Sequence, residues 1–600
     1  MLSAIREIGR WQRNKSGKDE LEVLTKEPKL KTGGKIVLVK IDIDRSEFEG
    51  VELEEYDSAK VQRYLFRGGV SQGPNPTPVA NIPNVKKGKS GEMTDKNLEA
   101  QVRKTFRGKI QKWFDKYSES DVISGKDNSF LKLIKKVLLD NEDKIVLAIK
   151  TCIGDIDKKE RKYLTIKIKE NGQEKYIGDF EVFRKSLKEI ENQKTIGFSE
   201  NDKNCSICGM RKALVSGNVN VFKFYTIDKP GFITGGFNDI LAWKNFPVCP
   251  DCKLDLEEGR KFVENNLSFG FYGLRYLLIP KLLLNDLNIK SEIIDILLDS
   301  KKIVSLKGRA KKKITNDNNE ILETLAAEKD VLTLNLLFLS REQSAERILL
   351  LIEDVFPSRI RKIFNAKDHV DKVFNNDPDE GFTFWVIRTF FSKSDENKKA
   401  SDLNKYFLEI VDSVFKGKNL VITFLVKFYM AVIRKEFINE GYFSFRVKDA
   451  LMNILFFENL EVITIEEVKD MEDSIFSSVF ARYGKSFATP AKRGIFLMGA
   501  LTQLLLNKQW SERNAKPFMK KLKSLKMDKT DIKALLPDVQ NKLEEYESFD
   551  KGKRLIASEA SKYLLEAGDE WKMSVDEINF YFACGINLAD SIADIAYSKN

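Results

Sequence analysis

Near-continuous apolar runs of strand length mark the first third of the chain. Lys35-Ile36-Val37-Leu38-Val39-Lys40-Ile41, opened by Gly33-Gly34, predicts a strand. Tyr163-Leu164-Thr165-Ile166-Lys167-Ile168 predicts a second. Between them, Val102, Phe106, Ile110 and Trp113 or Phe114 recur at helical spacing. Ahead of that helix lies Arg67-Gly68-Gly69-Val70-Ser71-Gln72-Gly73-Pro74-Asn75-Pro76-Thr77-Pro78, a density of glycine and proline that predicts a loop. Residues 1–200 read as a mixed α/β domain.

Beyond residue 260 the apolar period reads as helical. Leu274, Leu277, Leu278, Leu282 and Leu283 fall on one helix face, and Phe424 to Val432 and Leu451 to Phe457 read as buried helix. Ser392 to Ser401 is a polar linker, and Gly308 to Lys313 is a basic run in a polar segment. The last part, from 471, reads as a separate bundle. Ile495, Leu497, Met498, Leu501, Leu504 and Leu505 mark one helix, and Ser574 with Glu577 has capping-box spacing at the start of another.

Six cysteines add a module to this pattern. Cys205, Cys208, Cys249 and Cys252 form two Cys-x-x-Cys pairs; Cys152 and Cys584 stand apart and read as small buried apolar residues. Two such pairs can surround one zinc ion tetrahedrally. Gly209 allows a tight turn after the first pair, and Pro250 stiffens the second. Four thiolates fill the coordination sphere, so the expected zinc is structural and one ion suffices. The aromatics between the pairs (Phe222, Phe224, Tyr225, Phe232, Trp243, Phe246) fit the core of a small metal module; stacking on bases is the other reading. The expected fold class is therefore α+β multidomain: an N-terminal α/β domain (1–200), a four-cysteine zinc module (201–260), a mainly helical middle (261–470) and a C-terminal helical bundle (471–600).

Composition narrows the chemistry. The 600 residues contain one histidine, His369, read as a surface or packing residue. A multi-histidine nuclease site is excluded, and no phosphate loop or nucleophile motif is present. Thr234-Gly235-Gly236-Phe237-Asn238-Asp239 lacks the paired carboxylates of a two-metal site and reads as a turn. The chain is expected not to be an enzyme. No apolar run approaches the roughly eighteen residues of a membrane span, and Met1 to Lys15 lacks a signal-peptide core. The expected location is cytoplasmic.

Lys plus Arg exceeds Asp plus Glu by 101 to 90, a modest surplus that is unevenly placed. Lys86, Lys87, Arg103 and Arg107 flank the glycine-rich loop, as a phosphate-contacting face or a solvated one. Between Lys492 and Thr530 there are ten Lys or Arg against two acids, which favours a surface tracking a nucleic-acid backbone over a merely solubilising face.

These residues carry a family resemblance. Cys205-Ser-Ile-Cys208-Gly209, Phe224-Tyr225-Thr226-Ile-Asp228-Lys229-Pro-Gly231-Phe232, Trp243-Lys-Asn-Phe-Pro247-Val-Cys249-Pro-Asp-Cys252 and Gly259 resemble the central segment of the large subunit of the type I-B CRISPR Cascade complex. Tyr64-Leu65-Phe66-Arg67-Gly68-Gly69 and the stretch from Phe496-Leu497-Met498-Gly499 through Asp576 to Phe582 are similar to the same family. The resemblance implies a non-catalytic antiviral-defence subunit of a ribonucleoprotein. It would bind the crRNA 5′ handle region, recognise the protospacer-adjacent motif (PAM) in target double-stranded DNA, aid R-loop formation and recruit a helicase-nuclease. Implied partners are the crRNA, the target duplex and its displaced strand, and the Cascade backbone and handle-capping subunits. A small subunit translated from the same gene is a further one, with Met471 as candidate start. Arg63, Arg67, Gly68, Gly69, Gln72 and Asn75 are the expected handle or motif contacts. Lys492, Arg493, Lys516, Lys520, Lys521 and Lys523 are the expected strand-backbone contacts. Two other readings stay open: a carboxylate-dependent nuclease with a structural zinc, and a zinc-containing assembly scaffold that touches only protein.

Overall fold

The computed structural model describes residues 1–26, 34–69, 73–83, 95–119, 126–154, 160–224, 236, 238–283, 294, 332–342, 345–375, 381–395, 397–439, 441–464 and 474–598. The chain forms two compact units, residues 2–262 and residues 263–600 with Met1. The architecture is α+β, with a mixed sheet at the N-terminal end, a four-cysteine cluster and a helical C-terminal half.

In the first unit the two expected strands form and lie side by side. β1 (Lys35–Asp42) pairs in parallel with β4 (Lys162–Glu170), Lys35 opposite Lys162. β2 (Glu47–Glu55) extends the sheet beyond β1, while β3 (Ala80–Ile82) and β5 (Gln173–Tyr176) both pair with β4. Central position explains the apolar run of β1: Val37, Leu38 and Val39 are all fully buried, as strands covered on both faces require. Helices α1 (Leu2–Ser16), α2 (Asp95–Thr105), α3 (Lys112–Tyr117), α4 (Glu142–Ile153) and α5 (Glu181–Ile196) belong to this unit. Between α2 and α3 the helix widens to a π-turn over Phe106–Gln111. The expected stripe of Val102, Phe106, Ile110, Trp113 and Phe114 is buried completely. The Trp113 ring packs 5.5 Å from Phe183 of α5.

The helix expected at Leu274 to Leu283 is a strand. β8 (Ser268–Phe271), β9 (Leu274–Leu282), β10 (Leu332–Glu342) and β11 (Ala345–Val355) form a sheet in the order β11-β10-β9-β8. β9 is buried from Tyr276 to Pro280, so its apolar residues run on without alternating, and the run imitates a helix face. Pro280 was the contrary signal. It cannot sit comfortably inside a helix, and here it faces Leu334 on β10, past Leu277, the last β9 residue registered with β8.

The remaining helices follow the expected pattern. They include α7 (Phe384–Arg388), α8 (Ile422–Ile438), α9 (Phe443–Asn459), α10 (Pro490–Arg513), α11 (Lys529–Glu545), α12 (Lys551–Glu566) and α13 (Val575–Asn587); α6 is the cysteine-bearing helix Pro250–Asn266 of the first unit's end. Ser574 and Glu577 close the expected capping box at α13. α10 and α13 approach backbone to backbone. A Cβ added at Gly499 would overlap the Phe582 carbonyl, and one at Gly585 would overlap that of Phe496. His369 is exposed, Cys584 is buried and Cys152 is half-buried. Gly308 to Lys313 and Met471 lie outside the described residues, as do Thr234, Gly235 and Phe237.

Candidate metal centre and the basic surfaces

The two cysteine pairs reach one point from different local structures. β6 (Ser199–Asn204) and β7 (Arg211–Ser216) form a hairpin whose turn is the first knuckle. The Gly209 N–H donates to the Cys205 carbonyl at 2.8 Å, with Gly209 at φ +69°, where glycine costs least. The second knuckle is the start of α6. Cys249 precedes Pro250, the first helical residue, and Cys252 lies in the first turn. Ser216 and Val248 exchange backbone hydrogen bonds of 2.9 and 3.0 Å, and the Ser206 N–H donates to the Pro247 carbonyl at 2.8 Å. These bonds bring the knuckles together.

The four sulfurs all lie within 4.8 Å of one another. A tetrahedral centre with metal–sulfur bonds of about 2.3 Å has sulfur–sulfur separations of about 3.8 Å, so this donor set fits a single ion. Cys205, Cys249 and Cys252 are buried. Burial pushes the Cys205 thiol up, and the backbone N–H groups of Ile207 and Cys249, each donating to its Sγ at 3.4 Å, offset part of that rise. The hydrogen bond from the Cys252 thiol pushes Cys249 down to about 5, while that same bond and then burial push Cys252 up. One negative charge among packed thiols resists the next; a bound dication removes that conflict.

The acidic face of α6 ties this centre to the rest of the first unit. Asp255 accepts Arg13 at 2.7 Å and lies 3.5 Å from Arg6; Glu258 pairs with Lys18. Gly9 of α1 and Gly259 of α6 form the crossing, since a Cβ at either would overlap the other helix's backbone. Sequence reasoning missed these carboxylates. Their signal was Asp255, Glu257 and Glu258 within two helical turns of Cys252.

Arg67 belongs to the same network, and the structure places this expected nucleic-acid contact inside the unit rather than on its surface. It is buried, donating to Glu257 at 2.8 Å, Glu191 at 2.9 Å and the Leu24 carbonyl at 3.0 Å. Asn75 is likewise buried, its side-chain amide donating to the Val79 carbonyl at 2.6 Å. Arg63 is partly exposed but forks onto Asp179 at 2.8 and 3.0 Å, with its guanidinium over the Tyr176 ring. Arg103 is shared among Glu99, Glu142 and Asp143, and Arg107, more exposed, donates to Glu142 at 2.6 Å. Gly68 and Gly69 are exposed. The returning limb of their loop is pinned from the π-turn and α3: Lys109 donates to the Gly73 carbonyl at 2.6 Å, and the Trp113 indole to that of Pro76 at 3.0 Å. Gln72, Lys86 and Lys87 lie outside the described residues.

The basic C-terminal set divides in two. Lys492 and Arg493 open α10, which is wrapped by its neighbours; Lys492 packs inward and Arg493 is half-buried. Lys492 is buried against the Tyr581 ring, and Arg493 donates to the Phe487 carbonyl at 2.9 Å. Lys520, Lys521 and Lys523 are exposed and Lys516 is half-buried above Trp510. Asp538 and Asp531 of α11 pair with Lys521 and Lys523 at 3.1 and 2.6 Å, so the surplus in linear sequence is partly answered in space.

Of the aromatics between the knuckles, Phe222 is buried and stacks on Phe224, as expected of a module core; Tyr225 and Phe232 lie outside the described residues. Among the described residues no helix is long and apolar enough to cross a membrane.

Fold and cluster together define a multidomain α+β protein built around a four-cysteine centre able to hold a metal ion. Family models for the N-terminal, central and C-terminal domains of CRISPR-associated protein TM1802 match residues 1–189, 202–355 and 382–600. The chain belongs to this CRISPR-associated family. No curated protein matches it.

Proposed function

We propose that the chain is the large subunit of a type I-B Cascade complex. In this reading it binds the crRNA near its 5′ handle, recognises the protospacer-adjacent motif in duplex DNA, aids R-loop formation and receives a separate helicase-nuclease. The observation that carries the proposal is family membership across all three domains. Guide pairing reads the target sequence, which leaves the protein the short motif and the backbone. The exposed Gly68-Gly69 turn, on a loop anchored by Lys109 and Trp113, suits close backbone approach to a groove. Lys516, Lys520, Lys521 and Lys523 suit strand phosphates.

The metal in this reading is zinc, held by Cys205, Cys208, Cys249 and Cys252. Four sulfur ligands leave no open position, so the ion supports folding and the chain acts without catalysis of its own, in the cytoplasm. A small subunit made from the same gene, starting at Met471, completes the assembly.

Expression with the neighbouring genes, followed by tagged purification, RNA sequencing and intact mass measurement, tests the proposal. Guide RNA with a repeat-derived handle and a short C-terminal species are expected. A lone zinc-loaded chain would overturn the Cascade reading. Magnesium-dependent cleavage by the purified chain, abolished by one Asp or Glu substitution, would overturn the non-catalytic one.

A further inference from the structure

The second unit carries an aromatic pocket that includes none of the cysteines and none of the basic residues discussed above. Its volume is about 340 Å³, and its walls come from α7 and the start of α9. Trp385 is 59 % exposed, and Tyr442 and Phe445 are each 66 % exposed. Tyr442, Phe445, Arg446 and Asp449 follow helical spacing and so share one face of α9. Arg446 donates to Asp449 at 2.9 Å, placing one guanidinium and one carboxylate among three rings.

The chemistry of this lining selects among occupants. An aliphatic side chain of a partner would cover the ion pair without satisfying it, at a desolvation cost. A lone cation would meet Arg446 as well as Asp449. A flat heteroaromatic with donors and acceptors on its edges suits the whole set. Guanine carries N1–H and N2–H donors beside its O6 and N7 acceptors, the complement of a carboxylate beside a guanidinium, and its faces stack on aromatic rings. Burial also holds the Asp449 carboxyl above the usual carboxylate range, a sign of how enclosed this polar edge is.

We propose that Trp385, Tyr442 and Phe445 stack an unpaired guanine of a single-stranded nucleic acid, with Asp449 and Arg446 reading its edges. The proposal rests on the nucleic-acid reading above and adds to it a base-specific site. The strand is RNA or displaced DNA, and the test separates them.

Fluorescence anisotropy of the full chain compares an oligothymidylate with the same strand bearing one central guanine, adenine or cytosine, and the oligouridylate counterparts. The single guanine is expected to tighten binding about tenfold, in whichever sugar series the site serves. Trp385→Ala, Phe445→Ala and Asp449→Asn should each erase that gain while leaving the unsubstituted strand's affinity and salt dependence unchanged. Both rings are exposed, so their loss spares the core. Lys520→Ala with Lys521→Ala should weaken all strands alike. Equal binding of all strands, still weakened by the lysine variant, overturns the pocket and leaves the nucleic-acid reading standing. A guanine preference that survives Trp385→Ala and Asp449→Asn also overturns it. No strand binding at low salt overturns both.

Discussion

Arg67 and Glu257 are 190 residues apart in sequence and share a hydrogen bond of 2.8 Å. Through that bond the turn after Tyr64 is tied to the helix that supplies Cys252. Truncating Arg67 to alanine leaves Glu257 enclosed without its hydrogen-bonded cation and Glu191 with Lys194 alone, a loss of about 3–5 kcal/mol. Thermal unfolding of Arg67→Ala should fall well below wild type, with Arg67→Lys between them.

The same pair predicts a pH signature. Burial raises the values of Glu257 and Glu191, and Arg67, joined by Lys194 at Glu191 and by Lys26 and Lys253 at Glu257, more than reverses it, so both end below the ordinary 4.5. A depressed carboxylate stabilises fully above its unfolded value and loses that contribution as pH falls through its folded value. Wild-type stability should therefore drop below about pH 4.5. In Arg67→Met burial dominates, both values rise, and the variant should gain relative to wild type on acidification from neutral pH. Unfolding midpoints across that range, for both proteins, check the sign.

Metal content offers an independent check. Elemental analysis should find about one equivalent of zinc, and Cys205→Ser, which removes the sulfur accepting two backbone N–H groups, should lose most of it. Chelation should lower the unfolding midpoint of the wild type and leave Cys205→Ser little changed.

Close helix crossings are a third point of sensitivity. Gly259→Ala and Gly499→Ala would push a methyl group into the backbone of α1 and α13 respectively. Each should cost about 1–3 kcal/mol or more, because a backbone cannot yield as a side chain can. Urea midpoints of the single variants measure this.

The lysines separate into two kinds of variant. Removing Lys520, Lys521 or Lys523 should reduce the salt dependence of nucleic-acid binding by about one unit of slope per lost contact. Lys492→Ala and Arg493→Ala should instead lower stability and leave that slope unchanged. Binding titrations over a salt series distinguish the two.

Local pattern carried much of this protein. The strands at Lys35 and Tyr163, the buried stripe from Val102 to Phe114, the capping box at Ser574 and the four-cysteine set all appear where periodicity and spacing put them. The strands, the stripe and the capping box depend on residues within a few positions of one another, and each cysteine pair is equally local, although the two pairs meet only in the fold. Charge was less legible. A count along the chain cannot see that Asp531 and Asp538 fold back onto Lys523 and Lys521, or that Lys492 faces inward.

What the chain alone determined, then, is most of its helices and two of its strands, the four-cysteine set that could hold a metal, and a CRISPR-associated family. Tertiary structure decided which cations reach solvent. Arg67 reads as an exposed loop residue until α5 and α6 bring two carboxylates around it, and Leu274 to Leu282 reads as helix until β10 lies beside it. In both cases the deciding energy, an ion pair out of water or a ladder of strand hydrogen bonds, exists only between segments that are distant in sequence and adjacent in the fold.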